Sequence, residues 1–449
     1  MIGISLAVPG GRSASSFWQT PFYLASPAGG GADNGPAALL DLSKERYALT
    51  VATEIATAPA ALLNTLETKP LSSLLSITRP GAATYVDADG LLKTAPADHP
   101  RFDYTNGRRQ LLLEGPATNL LPASSDFAGA GWGKGRVSTI ADQVGPDGIA
   151  NSACRLVATT ATGAHYTTAS TPVSAGVHSL SLFVKHRNHR WFFARIFDGA
   201  SSFFVCFDLQ NGVVSRASAG ATGTIELQAS GFYRVSVSAN TLAASGTIWL
   251  GLNQTGTASS AESWTPTGVE EVVIFGAQLE SGPRPTSYIA TAGSAVTRPA
   301  DKAQLAAPVV ALLRRSAASV LLQGQNLSGV GTMRLMGAED YFPIISLNQT
   351  GDLRFDPSMI IKSGVTQPTS SFGVAISIDR TGPIRSGSYN ASPPQSLATQ
   401  LNATLTKAYI GRDETASPDR FANGWYDQLV IWPFRMTDAD LQTKAVPHA

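Results

Sequence analysis

Across the middle of the chain, from Asn119 to about Ala290, apolar and polar residues alternate in short runs broken by Gly-rich turns. The alternation is plainest in Ser179-Leu180-Ser181-Leu182-Phe183-Val184 and in Arg234-Val235-Ser236-Val237-Ser238. A period of two sends successive side chains to opposite faces, so each run predicts a strand with one buried face. ACRLVATT, HYTTAST, HSLSLFVKH, WFFARIFD, SSFFVCFDL, VVSRAS, TIELQA, FYRVSVSA, TIWLGLNQ and VEEVVIFGAQLE follow one another in this way. Strands at that density predict an antiparallel sandwich. After Thr297 the pattern restarts with VVALLR, ASVLLQGQ, GTMRLMG, FPIISLNQ, GDLRFD, SFGVAISIDR, TLTKAYIGR and GWYDQLVIWPFRM, which predict a second sandwich. The chain closes on TDADLQTKA, where Thr437 can cap a short helical turn. No fixed repeat runs along the chain, which argues against a solenoid or β-helix.

Ahead of the first sandwich, Ser76 to Gly115 holds the strand-like ATYVDA and RQLLLEG with turns at Asp89-Gly90 and Asn106-Gly107, a compact β connector. Residues 1–75 differ. A Gly/Ala/Pro-rich portion, ASPAGGGADNGPA, is followed by YALTVATEIATAPAALLNTL, whose apolar spacing allows a short helix. This part reads as an attachment or oligomerisation segment or, equally, as a poorly ordered leader. The expected fold class is therefore all-β: two antiparallel β-sandwich (jelly-roll) domains with an N-terminal attachment segment. The expected divisions are the segment 1–75, the connector 76–118, a jelly roll 119–295 and a second sandwich 296–449.

Composition adds exclusions. At 449 residues the chain exceeds what one core usually supports. Only 14% of residues are charged, and 33 basic side chains face 32 acidic ones, so there is no basic footprint for nucleic acid. No stretch approaches the ~20 apolar residues of a membrane-spanning helix. The opening MIGISLAVPGGRS lacks a basic n-region and is interrupted by Pro9, so neither a secretion signal nor membrane insertion is expected; the protein would be made in the cytoplasm. Cys154 and Cys206 sit in strand-like runs and read as buried free thiols, with a single disulfide between them left open.

Several longer stretches resemble a known type of protein. LLLEGPATNLLPASSDF (111–127) with Trp132, VKHRNHRWFFARIF (184–197), FDLQNGVV (207–214), GFYRVSVS (231–238) and above all GAQLESGPRPTSYIATAGSAVTRPAD (276–301) resemble a carbohydrate-binding-module-like jelly roll found in phage virion proteins. TRPGAATYVDADGLLKTAPADHPRFDY (78–104) looks like the connector that precedes that module. The ending IGRDETASPDRFANGWYDQLVIWPFRMTDADLQ is similar to the close of concanavalin-like or laminin-G-like sandwiches. The resemblance implies a bacteriophage or gene-transfer-agent appendage, a tail fibre, tail-tip protein or head spike on the virion surface. Its partners would be a host surface glycan and, through the N-terminal segment, other virion proteins. It would be a homo-oligomer, a trimer as the first expectation. A structural virion component such as a spike base, baseplate or collar is the alternative, and a glycan-degrading enzyme the third reading.

The chemistry in the sequence favours binding. G-x-S-x-G, H-E-x-x-H, C-x-x-C and the P-loop pattern are absent. The carboxylate pairs Asp87 and Asp89, Glu270 and Glu271, and Asp413 and Glu414 are adjacent on strands, where they point apart, or lie in Asp-Gly turns, so no enzyme is expected. The densest polar cluster is KHRNHRW, which brings His186, Arg187, Asn188, His189, Arg190 and Trp191 together between two strands. Arginine attracts uronate or sialate carboxylates, asparagine and histidine bond hydroxyls, and an indole stacks on a sugar face. The alternative is a solvated hairpin loop whose tryptophan turns inward. His186 and His189 lack a neighbouring carboxylate or thiol, and no metal site is expected there. For Trp132 the resemblance implies an anchor that covers one end of the sandwich together with Phe127, with a ring stacking on a ligand as the alternative. Trp264, in ASSAESWTPTG, is the candidate for an exposed ring, or else is folded onto the sheet by Pro266. No cofactor is expected; a structural calcium with Asp142, Asp147 and Glu280 as oxygen donors is left open.

Overall fold

The computed structural model describes residues 35–448 apart from 243, 261, 330, 340–342, 357, 367–369, 383, 399–404 and 416–419. The opening MIGISLAVPGGRS and most of the Gly/Ala/Pro-rich portion lie outside the described residues. What is described is all-β, as the alternation predicts, with two short helices.

The jelly roll is a pair of six-stranded antiparallel sheets. The first runs Gly133–Gly135, His165–Val173, Ala244–Leu252, Trp191–Phe197, Ser202–Asp208 and Val213–Ala217. The second runs Val137–Gln143, Ala153–Ala158, Glu271–Ser281, Gly176–His186, Tyr233–Thr241 and Ala221–Leu227. The period of two sends Leu180, Leu182, Val184, Val235 and Val237 inward against Phe192, Ile196, Ile248 and Leu250 of the facing sheet. Trp132 is part of this core: its Nε1 donates to the Ala123 carbonyl at 2.6 Å and its ring lies 4.8 Å from that of Phe127. It is an anchor. Cys154 and Cys206 are buried and unbridged.

The second sandwich packs a ten-stranded sheet on a seven-stranded one and draws strands from both sides of the jelly roll in the sequence. Ala38–Asp41 pairs antiparallel with Asn423–Trp432, with Ala38 opposite Ile431, and also with Arg46–Thr50. Gln110–Leu113 pairs with the other end of that long strand, Leu111 opposite Tyr426, and Leu75–Thr78 pairs with Lys302–Leu305. Residues assigned from sequence to a separate segment and connector are thus strands of this sandwich. The cause is burial: Leu40, Leu49, Leu75, Ile77, Leu111 and Leu113 share one core with Leu322, Ile376, Ile410 and Leu429, whereas so short a segment buries little by itself. Two local expectations change for related reasons. The helix expected over YALTVATEIATAPAALLNTL is instead the strand Arg46–Thr50, which finds a ladder partner, and a single 3-10 turn at Ala60–Leu62. VVALLR, expected as a strand, lies mostly in the helix Ala307–Leu313, started by Pro308, with Val309, Val310, Leu312 and Leu313 buried. Thr437 does cap the terminal helix Asp438–Lys444, its hydroxyl accepting from the Asp440 amide at 3.2 Å.

The chain enters and leaves the jelly roll through two paired strands, Ala117–Asn119 and Val296–Arg298. An ionic knot sits at this neck. Arg101 donates to Glu114 Oε2 at 2.7 Å and Ser287 Oγ at 2.8 Å and pairs with Asp301. Arg79 reaches the other Asp301 oxygen at 2.8 Å, and Arg298 lies 3.5 Å from Glu114 while donating to the Gly115 carbonyl at 2.8 Å. All five charged side chains are buried. Burial alone would raise the Glu114 carboxyl, but Arg298, Arg101 and Ser287 hold it down at about 2. Next to the knot, the connector hairpin Ala83–Val86 with Leu92–Ala95 lies on the outer face of the second jelly-roll sheet, where Leu92 shares a small core with Phe183, Phe275 and Tyr288.

Candidate functional site

The polar loop after Gly176–His186 is largely consumed by the protein itself. Arg187 pairs with Glu271 at 2.5 Å and donates to Gln143 at 2.8 Å. Asn188 donates to the Val269 carbonyl and accepts from the Glu271 amide, both at 2.8 Å. His189 is bonded through Nε2 to the Asn253 carbonyl at 2.8 Å, and Arg190 grips Asp208 with two bonds of 2.8 and 2.5 Å. The Arg190 guanidinium lies 4.3 Å from the Trp191 ring, which packs so closely on Gly256 that a Cβ there would lie 2.3 Å from it. His186 ends its strand half-buried. The loop does bring the predicted residues together, but with their hydrogen-bonding groups mostly turned to internal partners.

Trp264 is not the exposed ring expected as one of two readings. It is 8% exposed, stacked on His189 with centroids 5.5 Å apart and edge-on to His165 at 5.3 Å. Its backbone bridges to Gly163, which folds the polar loop over the end of the sandwich. Burial lowers the pKa of His189, outweighing the bond to Asn253, and lowers that of His165 likewise.

The carboxylates are also engaged. Glu270 accepts from the amides of Thr267, Gly268 and Val269, and these bonds overcome burial to hold it at about 2. Its neighbour Glu271 turns to Arg155 and Arg187. Asp87 accepts from the amides of Asp89 and Leu91 within a turn. Asp413 binds Arg420 and Thr415, and Glu414 pairs with Lys407. Of the three calcium donors considered, Asp142 is held by Arg155, Asp147 by Ser152 at 2.6 Å, and Glu280 by Gln278 and Thr286. They are not gathered: among the described residues no group of three acidic, histidine or cysteine side chains is placed to hold a metal.

The two outer faces of the jelly roll differ. The connector lies on that of the second sheet; the first sheet carries a row of aromatic side chains with Arg195 among them, and Arg216 at the side, 5.5 Å from the Phe204 ring and bonded to the Thr257 carbonyl. Strand register sets Thr168, Trp249, Arg195 and Phe204 side by side across four strands. Tyr166 stacks on Trp249 with centroids 3.7 Å apart and planes 6° from parallel, and the Arg195 guanidinium lies 4.2 Å from the Trp249 ring centre and 5.1 Å from that of Phe197. Gly135 makes the stack possible, since a Cβ there would lie 2.7 Å from the Tyr166 ring. Phe193, Phe204 and Cys206, on the same face, form a small buried cluster against which Tyr166 and Trp249 pack. The sequence reading missed this row, although WFFARIF, HYTTAST and TIWLGLNQ put aromatics at the positions opposite the core in three paired strands.

A groove of about 340 Å³ opens between the connector, the second sheet and the other sandwich, lined by Tyr85, Thr224, Glu226, Arg234, Ser236 and Trp425 among others. Arg234 spans it, donating to Ser181 Oγ at 2.9 Å and the Thr286 carbonyl at 3.0 Å.

The chain thus belongs structurally to the antiparallel β-sandwiches. No protein-family model matches it and no curated protein matches it. Among solved structures it is similar to the carbohydrate-binding module of the Ruminococcus gnavus IT-sialidase bound to α2,3 sialyllactose, at 12% identity over 29% of this chain and 82% of that one, with a TM-score of 0.24. A mutant NanB sialidase from Streptococcus pneumoniae gives 13% identity over 30% of this chain and 24% of that one, with a TM-score of 0.25. The extracellular region of zebrafish Gpr126/Adgrg6 gives 9% over 64% and 37%, with a TM-score of 0.22.

Proposed function

We propose that the chain is a carbohydrate-binding protein and, more specifically, a virion surface adhesin of the tail-fibre, tail-tip or head-spike type that holds host cell-surface polysaccharide during attachment. The observation that supports it best is the aromatic row on the outer face of the first jelly-roll sheet, flanked by Thr168 and Thr247, which offers rings and hydroxyls in one place. Sugars present both apolar ring faces and hydroxyls, and such mixed surfaces suit them. The virion setting comes from the stretches that resemble phage appendage proteins. Binding occurs without bond cleavage in this reading, and several copies, a trimer first, would turn weak single contacts into firm attachment.

The test compares binding of the assembled protein to host cells that carry or lack capsular or lipopolysaccharide glycans, with a Tyr166→Ala/Trp249→Ala variant beside wild type and its fold checked by circular dichroism. Glycan-dependent binding lost in the variant is the expected result. Binding indifferent to glycan, or none by assembled protein, would leave the structural virion component as the better account.

A further inference from the structure

Resting on the carbohydrate-binding reading, we infer that the outer face around Arg195, Trp249 and Tyr166 is built for an acidic sugar, with the Arg195 guanidinium receiving a uronate- or sialate-type carboxylate. Elsewhere in the molecule buried guanidiniums meet acceptors. Arg79, Arg101, Arg155, Arg187, Arg190 and Arg298 each have a carboxylate within ion-pair distance. Arg195 has neither an ion pair nor a hydrogen bond to any described residue. Its Nε is buried and unpartnered, while the two terminal nitrogens are not enclosed in the same way.

Desolvation at Nε is costly, because losing water there without gaining an acceptor disfavours the charged form, and burial does lower the Arg195 pKa. What the protein supplies instead is two aromatic faces, Trp249 at 4.2 Å and Phe197 at 5.1 Å, which hold the planar group still and leave its donors unsatisfied. A planar fork with free donors matches a carboxylate with two parallel hydrogen bonds, the strongest pairing available to arginine. The surroundings narrow the ligand. Thr168 is opposite Trp249 in the ladder and its buried hydroxyl has no partner among the described residues, and Ser170 and Thr247 are opposite each other in the next outward-facing row. Hydroxyls beside ring edges suit a pyranose better than an extended acidic peptide, whose backbone would need the unpaired edge of a strand.

The test is calorimetric titration of the full chain with four probes: a galacturonate trimer, 3′-sialyllactose, the carboxyl-reduced trimer and a glutamate hexapeptide. Wild type, Arg195→Met, Arg195→Lys and Trp249→Ala are compared, their folds checked by thermal unfolding. Expected is binding of at least one acidic sugar, with the reduced trimer about tenfold or more weaker. Arg195→Met should bring the acidic sugar down to the level of the reduced trimer, and Arg195→Lys should recover part of the difference. Trp249→Ala should weaken acidic and neutral sugars together. Equal binding of the trimer and its reduced form, or acidic-sugar binding unchanged in Arg195→Met, would overturn the inference while leaving carbohydrate binding intact. Tighter binding of the hexapeptide than of either acidic sugar would overturn it in favour of an acidic peptide. Failure of all four probes, together with glycan-independent cell binding, would take down the carbohydrate reading itself.

Discussion

Two sets of arginines divide the molecule. At the neck, Arg79, Arg101 and Arg298 are buried against Glu114 and Asp301, with Ser287 and backbone carbonyls taking further donors. On the outer face of the jelly roll, Arg195 lies between aromatic rings with no acceptor among the described residues. The neck set has lost its water altogether, and Arg195 has lost it at Nε. In the first the protein replaced it, and the result is orientation: connector, jelly roll and second sandwich are tied at one point. In the second the replacement is missing, so the same chemistry becomes a demand for something outside the chain.

The largest effect should come from breaking the paired set. Arg101→Met removes the cation shared by Glu114 and Asp301 and leaves buried carboxylates undercompensated, so a loss of about 3–5 kcal/mol is expected. Urea denaturation of the full chain, followed by fluorescence, measures it. Loss below 1 kcal/mol would mean that Arg79 and Arg298 suffice, and that the neck is not held by charge.

Next in size is Trp264→Ala. Because the indole is buried against His165 and His189, the change should cost about 3 kcal/mol as a core truncation. Thermal unfolding reads this directly. An unchanged midpoint accompanied by lost glycan binding would return Trp264 to the ligand-contacting role considered for it from sequence.

Acid should then separate two parts of the fold. His189 titrates below its ordinary 6.5 in the folded chain, so the unfolded chain takes up the proton first and stability falls as pH drops through and below that value. Glu114 is depressed from 4.5 to about 2, so its contribution is complete above 4.5 and is lost as pH falls towards 2. Unfolding midpoints across this range should decline in two stages, with Glu114→Gln shrinking the lower one, which Glu270 shares, and His189→Gln the upper one, which His165 shares. A single stage unaffected by Glu114→Gln would show that the knot does not control acid stability.

Strand positions were legible in the sequence because period-two alternation reports one buried face, as in Leu180, Leu182 and Val184. Which sheet a strand joins was not. Ala38–Asp41 and Gln110–Leu113 pair with the same distant strand, and nothing local in ALLD or QLLL marks a partner more than 300 positions away. The recognisable stretches turn out to carry the neck: Arg79 comes from TRPG, Arg101 from PRFDY, Glu114 from LLLEG, Ser287 from PTSY, and Arg298 and Asp301 from TRPAD. Their charged residues are spent on internal pairing. KHRNHRW, which stood out for its density of polar residues, spends most of them in the same way. Arg195 was hidden by the opposite property: one charge amid WFFARIF looks like an ordinary outward-facing strand position until the register shows what stands beside it.

The smallest expected effect on stability is the most informative about the unpaired set. Arg195→Met keeps an apolar chain against Trp249 and Phe197 and removes a partly desolvated charge that has no internal partner. Its unfolding free energy should therefore stay within about 1 kcal/mol of wild type, or rise. Arg101→Met changes the same residue type in the same way, so the difference between the two variants isolates pairing from arginine itself. A strongly destabilised Arg195→Met would show that stacking on Trp249 is a structural contact, and the row of rings would then belong with the neck among the features that hold the fold. A stable variant would show that the guanidinium is not kept for the fold, as expected of a group whose partner is an external anion.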